Sequence, residues 1–63
     1  MKLNEVSLSD YTYQRICVLS PRGEENLPSG AEAYVLRTYG ERELAAEDGV
    51  MVQETGWLIL RLV

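Results

Sequence analysis

The sequence predicts a small α+β domain, an antiparallel β-sheet with one short helix packed on one face, in the order β-α-β-β. Three observations carry this expectation. A run rich in β-branched and aromatic residues, YTYQRICVL at 11–19, is stopped by Ser20-Pro21, as suits a strand ended by a residue that cannot donate to a ladder. Ser29 followed three residues later by Glu32, with Gly40 beyond, frames a helix between a capping box and a C-terminal glycine. Two turn dipeptides, Asp48-Gly49 and Thr55-Gly56, bracket VMVQE and lead into WLILRLV, predicting a C-terminal hairpin over 50–63.

Taken in order, the first strand places Tyr11, Tyr13, Arg15, Cys17 and Leu19 on one face and Thr12, Gln14, Ile16 and Val18 on the other. SPRGEENLPSG, residues 20–30, combines both prolines with two glycines and two adjacent acids, and 20–29 reads as a surface loop. In the helix, Ala31, Tyr34, Val35 and Thr38 recur at helical spacing and are expected to face the sheet, with Leu36 and Tyr39 on the flanks. The same stretch, AYVLRTY, contains good strand formers, so an all-β five-stranded meander or small barrel is the alternative. An extra edge strand is drawn from the N-terminus or from residues 42–46. In the last strand Leu58, Leu60 and Leu62 share one face, and Trp57, Ile59, Arg61 and Val63 share the other. Burying the three leucines contributes about 5–8 kcal/mol before conformational entropy is set against it.

A chain of 63 residues holds one domain, 1–63, in a size class that usually needs a staple. One cysteine allows no internal disulfide, and the absence of histidine leaves no ordinary zinc ligand set. Oligomerisation or docking on a larger partner is the staple left. No cofactor or metal site is expected. The N-terminal stretch lacks the apolar core of a signal peptide, and the apolar run WLIL is far shorter than the roughly 20 residues a membrane span needs. A cytoplasmic protein with no membrane role is expected.

Without histidine, Ser-His and Cys-His nucleophilic arrangements are excluded. Cys17, between Ile16 and Val18, reads as a buried inert thiol. No phosphate-binding glycine loop is present. The expectation is therefore a non-enzymatic protein with no catalytic residues.

Net charge is -4, and it is uneven. Glu24, Glu25, Glu32, Glu41, Glu43, Glu47 and Asp48, seven acids, lie between positions 24 and 48 against Arg37 and Arg42, giving -5 there and +1 elsewhere. Such a surface repels phosphate, so direct nucleic-acid binding is disfavoured, although Tyr11, Tyr13 and Arg15 would form a base-stacking platform on one strand face. Complementary charge instead suggests an inhibitor or modulator docking on a basic surface of a larger protein, one that can otherwise hold nucleic acid, through Glu24, Glu25, Glu41, Glu43, Glu47 and Asp48. Small acidic proteins of phages and mobile elements, anti-CRISPR proteins among them, offer the analogy, by size and charge alone. The alternative is a structural or regulatory homodimer assembled through the C-terminal strand, with Trp57, Ile59, Arg61 and Val63 as the contact face.

Overall fold

A computed structural model describes all of residues 1–63. The fold is α+β, a four-stranded mixed open sheet with one helical segment on one face. The strands are β1 (Arg15–Ser20), β2 (Gly23–Pro28), β3 (Val50–Val52) and β4 (Trp57–Arg61), in the spatial order β2-β1-β4-β3. Helix α1 (Glu32–Tyr39) follows β2 after a 3₁₀ turn at Ser29–Ala31.

The sheet departs from the expected all-antiparallel pairing. β1 pairs antiparallel with β2 and β4 with β3, while the two central strands, β1 and β4, run parallel. Parallel neighbours require a crossover. Here α1 is part of it: the chain leaves the β1–β2 hairpin, crosses one face of the sheet as helix, and returns through the β3–β4 hairpin.

The expected loop at 20–29 is for the most part a strand. Pro21 and Arg22 form the turn, and Ser20 opposes Gly23 across it. Gly23 adopts a φ of +134°, a backbone conformation side-chain-bearing residues rarely take. GEENLP is poor in strand-forming residues, but β2 is an edge strand, where proline and charge are tolerated. Its alternate residues Glu25 and Leu27 oppose Val18 and Ile16 and so share the helix-covered face.

Two helix signals act otherwise than expected. The Ser29 side chain caps nothing, and the Glu32 carboxylate instead accepts the Tyr13 hydroxyl. Gly40 is right-handed, with φ -56° and ψ -33°, and not a left-handed cap. Its role is close approach: a methyl there would lie 2.3 Å from the Leu36 carbonyl oxygen and 3.3 Å from Asn4 Cβ. Val35 is fully buried, Tyr34 and Tyr39 pack at the core margin, and Leu36 and Thr38 face solvent.

One core lies between α1 and the sheet. Ile16 and Val18 of β1 meet Leu58 and Leu60 of β4, with Leu62 just beyond, so the leucine face is buried as expected. The N-terminal segment also contributes. Two 3₁₀ turns, Leu3–Glu5 and Leu8–Asp10, insert Leu3 and Leu8, and Leu44 enters from the segment before β3. Residues 42–46 make only the isolated bridges Lys2 to Glu43 and Leu44 to Leu62, and no extra strand.

Gly40→Ala is expected to destabilise the domain by about 1–3 kcal/mol, because backbone atoms stand where the methyl must go. Gly30→Ala, whose methyl meets nothing within 4 Å, is expected to change stability by less than about 1 kcal/mol. Urea midpoints of the two variants measure the contrast.

Candidate interaction surface

Helix and 3₁₀ turns cover only one side of the sheet. Side chains alternate along each strand, so burying Ile16, Val18, Leu58 and Leu60 on the covered side sends their neighbours to the other. The registers align these neighbours in rows across the central strands: Arg15 beside Trp57, Cys17 beside Ile59, Leu19 beside Arg61. The rows continue onto β2, with Pro28 opposite Arg15, Asn26 opposite Cys17 and Glu24 opposite Leu19. Met51 of β3 joins the Ile59 row.

This open face combines apolar bulk with directed charge. Trp57, Ile59 and Leu19 are half-buried, Met51 is exposed, and the Arg15 guanidinium carbon stands 5.7 Å from the Trp57 ring centroid. That is cation–π range. Arg61 and Glu24 are both exposed, and neither is among the two ion pairs of the chain, which join Glu43 to the Met1 amino group and Glu41 to Lys2. Cys17, at 6% exposure, sits beneath its neighbours. Burial, and then the Glu24 carboxylate to which the thiol donates at 3.8 Å, push the thiol pKa up, which keeps it protonated and a poor nucleophile. A depression of about 190 Å³ lies among Cys17, Glu24, Asn26, Gln53, Trp57 and Ile59, shallower than the roughly 300–1,000 Å³ typical of small-molecule sites. The face suits a broad contact better than an enclosed ligand.

Of the residues expected on the self-association face, Trp57, Ile59 and Arg61 are brought together, with Val63 exposed just past the strand. Sequence reasoning did not attach Arg15, Cys17, Leu19 and Glu24 to them. Alternation alone groups residues within one strand; the parallel register that joins two strands leaves no such mark.

The expected acidic surface is divided. Glu24 and Glu25 lie on the edge strand β2, Glu41 and Glu43 are engaged at the N-terminus, and Glu47 and Asp48 are exposed in the turn before β3. Asp48 carries a φ of 56°, which aspartate tolerates better than most residues. Glu25 points to the helix side, where Tyr34 donates to one carboxylate oxygen at 2.9 Å and Tyr39 donates to the other. It fastens α1 to β2.

The expected base-stacking platform is not assembled. The strand begins only at Arg15; Tyr11 lies outside it and is exposed, and Tyr13 turns to the helix side to reach Glu32. No group of three or more histidine, cysteine, aspartate or glutamate residues is placed to hold a metal ion, and no helix is long and apolar enough to cross a membrane. Comparison with known proteins gives no matching family model, no matching curated protein and no matching solved structure.

The tyrosine–carboxylate contacts have a pH signature. Tyr39 is pushed up to about 12, first by its hydrogen bond to Glu25 and then by burial; Tyr13 is pushed up to about 12, first by burial and then by Glu32. The fold holds both phenols in their protonated form, whereas the unfolded chain releases those protons at an ordinary tyrosine pKa of about 10. Their contribution is complete below about pH 10 and is lost as pH rises through about 12. Denaturation followed against pH should show stability falling across that window, with phenolate absorbance appearing late. Glu25→Gln should bring Tyr39 ionisation back toward the ordinary tyrosine value and lower the urea midpoint at neutral pH.

Proposed function

We propose that this chain is a non-enzymatic protein-binding module that docks through the open face of its sheet. The observation that carries the reading is the Arg15, Trp57, Ile59 and Arg61 group, exposed or half-exposed on a sheet face that no element of the chain covers. Tryptophan and arginine are the types most enriched at binding hot spots, since each offers a large contact area with a directed donor. A protonated, buried thiol and a shallow depression support binding over chemistry.

A second reading is an acidic inhibitor of the anti-CRISPR type, docking on a basic surface. The exposed Glu47 and Asp48 and the net charge of -4 support it. The two readings use different residues. Capture of partner proteins by the immobilised chain, identified by mass spectrometry, should be lost in Trp57→Ala and Ile59→Glu under the first and retained when Glu41, Glu43, Glu47 and Asp48 are reversed in charge. The opposite pattern would establish the acidic surface as the docking site. Far-UV circular dichroism confirms that each variant is folded.

A further inference from the structure

Resting on the open-face reading, we infer that the occupant of this face is a second copy of the chain, packed sheet on sheet about a two-fold axis that runs along the seam between β1 and β4. The lateral register of these two strands sets which groups face each other across such an axis. Rotation about an axis parallel to the strands preserves their direction, so β1 of one copy comes to lie over β4 of the other, running the same way and level row by row.

The exchange places complementary groups together. In the first row Arg15 lies over the second copy's Trp57 ring, and the reverse contact forms at the same time, with ring and guanidinium in the pairing already made within each chain at 5.7 Å. In the middle row Ile59 stacks above the recessed Cys17, a level with little polar demand. In the third row Arg61 lies over Leu19, one strand away from the second copy's Glu24. That lateral step is about 4.8 Å, within reach of an arginine side chain across sheets about 10 Å apart. Two ion pairs thus form between groups that have no ionic partner within a chain. Aligned sheets pack at about -30°, a twist that leaves the rows near the axis in place.

Area is consistent with the same occupant. The molecule has extents of 23 × 21 × 21 Å and an accessible surface of 4210 Å²; one side of a body so nearly cubic offers about 700 Å², close to the roughly 800 Å² per partner of a specific interface. A stable contact must therefore use the whole face. A flat sheet of equal width does so, whereas a single docked strand or helix covers only part of it.

The test is a charge exchange followed by sedimentation equilibrium over about 1–100 µM. The wild type is expected to dimerise. Arg61→Glu and Glu24→Arg are each expected to weaken the dimer about ten-fold or more, and the double exchange to restore it, because the two-fold axis pairs each residue with the other. Both side chains are exposed, and circular dichroism verifies the fold of each variant. A wild type that stays monomeric throughout overturns the inference, as does a dimer indifferent to both single variants. Loss of a different captured protein on Ile59→Glu, with a monomeric wild type, would leave the open-face reading standing and remove only the second copy.

Discussion

The parallel pairing of β1 with β4 is the constraint on which the rest of the molecule depends. It joins Arg15 to Trp57 and Leu19 to Arg61 across most of the chain, and it puts Ile16, Val18, Leu58 and Leu60, all at most 2% exposed, on one face. Each such side chain contributes about 1.5–3 kcal/mol on burial. Closing the long loop between the strands costs only slowly more with length, so these four residues outweigh the local preferences of what lies between. The helix is then obliged to cross on that face. With only eight residues in α1 it leaves gaps, which Leu3, Leu8 and Leu44 fill from segments of little regular structure.

Those local preferences explain how much could be read from the sequence. The terminal hairpin and the buried leucine face were legible because each is a short-range pattern, turn dipeptides and alternation; the helix was placed from cap signals that act otherwise in the fold. β2 was hidden by its composition, since two acids, an asparagine and a proline say loop, yet an edge strand needs apolar groups only on one side and here has Leu27 for the core and Glu25 for the tyrosines. The capping box failed because the α-helix begins at Glu32 after a 3₁₀ turn, so Ser29 is not its N-cap, and the Glu32 carboxylate accepts the Tyr13 hydroxyl instead. As for the open face, half of it was visible. Trp57, Ile59 and Arg61 followed from alternation, but their neighbours on β1 belong to them only through a pairing between distant strands.

The acidic charge that dominates the composition is to a large extent used in holding the molecule together. Glu25 receives two tyrosines, Glu32 a third, Glu41 pairs with Lys2 and Glu43 with the Met1 amino group. Exposed ion pairs such as those of Glu41 and Glu43 are worth little, about 0–1 kcal/mol. The tyrosine contacts differ in kind: they are charge-assisted hydrogen bonds from half-buried phenols, and they tie the helix to β2 and to the segment before β1. A charge run in a sequence thus has two quite different destinations, and only the contacts decide between them.

A four-stranded sheet covered on one side concentrates all its apolar stabilisation in a single layer, which in a chain of this length leaves a small margin. Any body that binds the open face adds to that margin by mass action, in proportion to the logarithm of its concentration over its dissociation constant. Folding and binding are then linked through the same two strands: residues of one parity build the core, and those of the other present the face. A change at Ile16 or Leu58 that loosens the β1–β4 register must disturb the rows on the outer side, because Cys17 and Ile59 are carried by the same backbone. The seam that stabilises the domain therefore also sets the spacing of the rows on its open face.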